Sequence, residues 1–181
     1  MAEMTGADVV AFWREAGPER WFAKDDGFDA ECRSRFLAAW EAARRGELNH
    51  WAETAEGALG LVLLLDQMPR NMFRGDPRAW SSDAEARQAA EAALAKGFDQ
   101  EVEPEIRAFF YLPFEHAEDR AAQARSLALF EALGNPENLK WARHHHDIIV
   151  RFGRFPHRNA VLGRESTPAE CAFLEVDDFR G

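Results

Sequence analysis

The stretch GALGLVLLLDQM, residues 57–68, decides how the rest of the chain must be arranged. From Leu59 to Leu65 every residue except Gly60 is a large aliphatic. In an α-helix such a run leaves no polar face, so the helix must be covered on all sides. Ala58 to Leu65 is far shorter than the ~20 residues that span a bilayer, so the cover has to be protein. The segment is therefore predicted to be the central helix of a fold that does not enter the membrane.

Working outward, apolar residues recur at spacings of three and four, and no sustained alternation marks a strand. The predicted fold is all-α, with about eight antiparallel helices stacked as helical hairpins in a tetratricopeptide-like manner, although no 34-residue repeat recurs. Thr5 and Asp8 form a capping pair ahead of Val9, Val10, Phe12 and Trp13, and Gly17 and Pro18 end that helix. A second helix starts near Asp29, buries Cys32, Phe36, Ala39, Trp40 and Ala43, and stops at Gly46. The central helix spans 49–68 with a weak point at Gly57. Met68 precedes a proline, so the chain is expected to turn there and restart at Pro69. Ser82 with Glu85 reads as a capping box for an Ala-rich helix to Gly97. Pro104 opens a helix halted around Pro113. Residues 117–133 are helical with Ala124, Leu127, Phe130 and Leu133 inward. A further helix runs from Pro136 to near Gly153, and Thr167, Pro168 and Glu170 start the last one. No linker or low-complexity segment intervenes, so residues 1–181 read as one domain.

The totals narrow the class. Hydrophobic residues make up 46% of the chain, with 14 Phe and 6 Trp, which excludes a disordered polymer. The N-terminal sequence lacks a basic region followed by an apolar run, so no secretory signal is read. Cys32 and Cys171 are isolated, which fits reduced thiols and a cytoplasmic setting. A net charge of −10 argues against general nucleic-acid binding. The charge is uneven: between Leu139 and Arg164 lie Lys140, Arg143, Arg151, Arg154, Arg158 and Arg164 against Asp147 alone, together with four of the six histidines.

Three polar stretches interrupt the apolar pattern. LLLDQMPRN, residues 63–71, sets Asp66, Gln67, Arg70 and Asn71 directly after the most apolar run. They read either as ligand-binding groups or as a structural network, with Asp66 capping the next helix and Arg70 paired to a carboxylate. YLPFEHAED, residues 111–119, carries Glu115, His116 and Glu118; Glu beside His suits proton transfer, while Glu118 or Asp119 suits a helix cap. In RFGRFPHRN, residues 151–159, Arg154, His157, Arg158 and Asn159 surround a stiff Phe-Pro turn. Arginine there offers a planar fork for carboxylate or phosphate, or a bridge to Asp66 and Glu115. His145 shares a stripe with Ala142, Ile149 and Phe152, while His144 and His146 point elsewhere.

These motifs, with Phe12–Trp13, Trp21–Phe22, Phe28–Asp29 and the long run HDIIVRFGRFPHRNAVLGRESTPAE at 146–170, resemble the bacterial family of domains of unknown function numbered 924. The resemblance implies a tetratricopeptide-like helical fold, one domain and a bacterial cytoplasmic setting. It carries no activity, and His146 stands where a more basic residue is expected.

The expected function is binding or transformation of a small anionic molecule. The proposed proton-transfer groups are His116, Glu115 and His145. The proposed ligand contacts are Asp66, Gln67, Arg70, Asn71, Arg154, His157, Arg158 and Asn159. The alternative is a protein or peptide interaction module presenting aromatics from Trp13, Trp21, Trp51 and Trp80. The sequence names no cofactor. No metal site is assigned, since the spacing is not that of HExxH, although Glu115, His116, His145 and Asp66 could supply three ligands if the helices bring them together. Whether the chain is an enzyme is left open by the sequence.

Overall fold

The computed structural model describes residues 4–177, and every regular element among them is helical. Ten α-helices follow in order: α1 (Gly6–Ala16), α2 (Pro18–Trp21), α3 (Asp26–Arg44), α4 (Ala55–Met72), α5 (Asp83–Ala95), α6 (Pro104–Arg107), α7 (Leu112–Glu115), α8 (Arg120–Leu133), α9 (Pro136–Phe152) and α10 (Pro168–Val176). The surplus over the expected eight is the single-turn α2 and a division of the helix after Pro104. That helix passes through a 3-10 turn at Ala108–Phe110, and Pro113, expected to halt it, lies inside the new one-turn α7. The chain divides into two compact units, residues 1–113 and 114–181.

In the first unit α4 is the hub. Every residue from Gly57 to Pro69 is buried, and α1, α3 and α5 all pack on it. The crossing with α1 is so close that a Cβ on Gly60 would lie 2.2 Å from the carbonyl oxygen of Gly6. Around this hub Trp13 and Trp21 stack, with Phe109 set edge-on to both, and the Trp21 indole N–H donates to Trp13 O at 2.6 Å.

The predicted turn at Met68 does not occur, because α4 continues through Pro69 to Met72. A proline in a helix interior removes one N–H and leaves the carbonyl four residues earlier without its donor. Here that carbonyl is Leu65 O, and the buried Ser82 hydroxyl donates to it at 2.6 Å. Ser82 thus makes no side-chain cap for α5, contrary to the capping-box expectation, although it occupies the N-cap position. Its oxygen also accepts from the Trp40 indole at 3.0 Å, tying α3, α4 and α5 together.

The second unit is built on the hairpin of α8 and α9. Gly134, in the left-handed region at φ 74°, turns the chain, and Asn135 caps α9 through the amides of Glu137 and Asn138. The buried face of α8 is Ala122, Gln123, Ser126 and Phe130, whereas Ala124 is exposed. The inward face departs from the expected Ala124–Leu127–Phe130–Leu133 stripe because two of its positions, Gln123 and Ser126, are polar. Beyond α9 comes a 3-10 turn at Pro156–Arg158, then α10 with the expected capping box of Thr167 and Glu170. Ile148, Ile149, Phe155 and Phe173 form the core here, with Phe152 and Leu174 against it.

Candidate functional site

The first polar stretch makes hydrogen bonds and ion pairs within its own unit. With α4 continuous, Asp66 caps no further helix; it lies fully buried and accepts from the Gln67 amide at 2.6 Å. Arg70 donates to Asp66 O at 2.6 Å and grips Asp83 with both nitrogens, at 2.9 and 3.2 Å. Burial works against the Arg70 charge, but Asp66 and Asp83 outweigh it and hold the guanidinium above its ordinary value. Asn71 donates to Asp29 at 2.9 Å, and Arg74 grips the same carboxylate. Together these bonds fasten α4 to α3 and α5.

The second and third stretches come together inside the second unit. Glu115 closes α7 and places Oε1 3.0 Å from Nδ1 of His145 on α9. The same nitrogen lies 2.9 Å from Trp141 O. Both neighbours are acceptors, so Nδ1 carries the hydrogen and Nε2 is the basic nitrogen of the ring. The His116 ring centre is 6.1 Å from that of His145. Arg158 donates to the His116 carbonyl at 3.1 Å and lays its guanidinium over the Phe155 ring at 4.6 Å. Phe155 stands edge-on to His145 at 5.6 Å, and the His157 ring centre lies 5.7 Å from that of Phe155. Glu115, His116, His145 and Arg158 are all more than nine-tenths buried. Burial, then the nearby His116, Arg158 and His144, push the His145 pKa well below 6.5, while the hydrogen bond to Trp141 works the other way. His145 is therefore neutral at pH 7, and its contact with Glu115 is a hydrogen bond from a neutral imidazole.

The remaining predicted groups build the frame around this cluster. Arg154 holds Glu170 at 2.7 and 2.8 Å and reaches Glu165 O, closing α10 onto the turn after α9. Asn159 donates to Ser166 at 3.0 Å. Glu118 accepts the Phe155 amide at 2.7 Å and is paired with Arg164, whereas the helix cap of α8 is Asp119. Arg154 thus takes Glu170 as its carboxylate partner. One contributor escaped the sequence reading: buried Gln123 donates to the carbonyls of Glu115 at 2.6 Å and Ala117 at 2.9 Å, fixing the turn that carries His116. Its signal was a polar pair, Gln123 and Ser126, on an inward helical face.

The match of these motifs is general. Residues 9–178 match the family of bacterial proteins of unknown function DUF924. The chain belongs to that family. DUF924 spans both units, so the Glu115–His145 cluster and the α4 network both lie inside the matched region. A protein of unknown function from Agrobacterium tumefaciens, ATU0120, has a solved structure that is 50% identical, covers 95% of this chain and 97% of its own, and superposes with a TM-score of 0.92. No curated protein matches.

Other features bear on the alternatives. Trp13, Trp21 and Trp51 are buried and Trp80 is half-buried, so these rings do not line a binding face as the interaction reading required. Among the described residues no group of three or more His, Cys, Asp or Glu side chains is placed to hold a metal ion. No described helix is long and apolar enough to cross a membrane. An open groove of about 450 Å³ on the first unit is lined by Leu37, Trp40, Glu41, Arg44, Arg45 and Arg78. It contains none of the predicted groups, and its arginines are paired with Glu85, Glu47 and Asp76.

Proposed function

We propose that the second unit binds a small anionic molecule at the Glu115–His116–His145–Arg158 cluster and exchanges a proton with it. Arg158 supplies the fixed positive charge. Glu115 orients His145 through Nδ1, so that Nε2 is the proton-transfer atom, as in a general acid–base pair. His116 supplies a second imidazole across the cluster. The observation that carries this reading is the concentration of four ionisable side chains in one small, buried place. Each costs several kcal/mol to desolvate alone, and apolar residues of similar size would stabilise the unit as well. Groups kept at that cost are site candidates. The two cysteines, neither in a disulfide, support a reducing cytoplasmic setting.

The reading is tested by thermal-shift titration of the whole protein with carboxylates, phosphate, sulfate and nucleotides. A ligand at a hundred times its Kd adds about 2.7 kcal/mol of stability. A shift that vanishes in Arg158→Gln supports the site. A panel without any shift, or a shift that survives that substitution, overturns it.

A further inference from the structure

We infer that the open groove on the first unit is a binding site for a small organic monoacid, a molecule with one carboxylate and an apolar body. The inference is independent of the reading above, which concerns the second unit.

The groove is built on one face of α3. Leu37, Trp40, Glu41 and Arg44 occupy positions i, i+3, i+4 and i+7, so their side chains stand together on the helix. Behind them the Trp40 and Phe73 ring centres are 4.8 Å apart. Arg78 enters from the 3-10 turn at Pro77–Trp80 and lies over the Phe73 ring at 4.4 Å. The recess between these groups holds about 450 Å³, within the range of roughly 300–1,000 Å³ that accepts small molecules.

Three guanidinium groups border the groove, and their commitments differ. Arg45 grips both oxygens of Glu47, at 2.7 and 3.0 Å. Arg78 grips both oxygens of Asp76, at 3.0 and 2.8 Å. Arg44 donates no hydrogen bond among the described residues. Its ion-pair partner Glu85 stands 3.8 Å away, and the guanidinium is steadied over the Trp40 ring at 5.1 Å. An exposed pair that long holds its partners weakly. Arg44 therefore keeps a planar fork for a carboxylate, already placed by its aromatic support.

The other lining groups select the ligand. One open fork answers one negative charge. Glu41 shares the wall with Arg44, and Arg45 and Arg78 are committed to Glu47 and Asp76, so a dianion such as phosphate meets repulsion without a second free cation. Leu37, half-buried, and Trp40 form the apolar part of the lining, and covering them favours a hydrocarbon body over a bare acetate.

The experiment is titration of the whole ¹⁵N-labelled protein with benzoate, hexanoate, acetate and phosphate, followed by the Trp40 Nε1–H and Arg44 Nε–H signals. The expected result is saturable movement of both signals with benzoate or hexanoate, weakened about tenfold or more in Arg44→Gln, as loss of a charged hydrogen bond predicts. Acetate and phosphate should bind at least about tenfold more weakly, for want of an apolar body in one and through repulsion by Glu41 in the other. Circular dichroism checks the folding of Arg44→Gln; should it not fold, the wild-type signals and the comparison of the four anions decide. Signals at Trp40 and Arg44 that neither organic acid moves overturn the inference, and show Arg44 to be an ordinary hydrated arginine. Binding that survives Arg44→Gln, or phosphate bound as tightly as benzoate, overturns it equally. None of these outcomes bears on Arg158 in the second unit, so the earlier reading stands or falls by its own test.

Discussion

A helix that runs through a proline must find another donor for one carbonyl, and at Pro69 that donor is Ser82. The hydroxyl is spent twice, since it also accepts from Trp40. Ser82→Ala should therefore cost about 1–3 kcal/mol by leaving Leu65 O and Trp40 Nε1 buried without this partner. The same substitution made in a Pro69→Ala background should cost less, because the restored N–H at position 69 serves Leu65 O. Urea denaturation of the four proteins measures this coupling, and equal costs in the two backgrounds would show that Ser82 has no part in tolerating the proline. At this scale the sequence was least legible. A Ser followed by Glu three residues on has the signature of a capping box, and nothing local reveals that its hydroxyl is claimed by a carbonyl on another helix. The partners of Arg154 were hidden for the same reason. An arginine advertises its need for an anion, but whether Glu170 or a ligand meets it is decided by the chain's path in space.

Elements were far more legible, because their signals are local. Thr5 with Asp8, Thr167 with Glu170, Gly134 and Gly153 act where periodicity and capping chemistry place them. The all-round apolar run of α4 also told its position, since such a helix has to be central. What the pattern could not tell is how tightly α1 and α4 approach. A methyl group on Gly60 meets backbone, which cannot rotate away. Gly60→Ala should accordingly destabilise by about 3 kcal/mol, at the upper end of overpacking costs. A melting temperature within a degree or two of wild type would show that the helices separate freely. At the other end of the chain, α10 is held by one residue with two duties. Arg154 first, and then the Thr167 amide, bring the Glu170 pKa down to about 2, against burial, which pushes it up. A carboxyl whose pKa is depressed on folding contributes stability above its unfolded pKa, near 4.5, and loses it as pH falls towards 2. Glu170→Gln should lower the melting temperature most at pH 5 and above, and the gap from wild type should close on acidification. A gap that stays constant from pH 7 to 3 would show that Glu170 acts by shape and not by charge.

At the scale of the whole molecule the question is what the positive segment is for. The chain carries −10, yet residues 139–164 hold six lysines and arginines. A surface meant for nucleic acid keeps such groups available to phosphates, since affinity grows with each counterion displaced. Here Lys140, Arg143, Arg154 and Arg164 are paired with Glu137, Glu131, Glu170 and Glu118, and Arg158 is buried under Phe155. Arg151 lies across the rings of Phe152 and Phe173. Arg154, Arg158 and Arg164 thus serve the internal frame, while Lys140 and Arg143 form exposed surface pairs. Binding to duplex DNA should then be weaker than about 10⁻⁴ M near physiological salt, below the ordinary range of non-specific DNA binders. Fluorescence anisotropy on a labelled duplex measures this. Micromolar binding with a steep salt dependence would mean that the ion pairs open towards phosphate, and the segment would have to be read as a surface in its own right. No measurable DNA binding is what a segment whose cations already have carboxylate or aromatic neighbours requires.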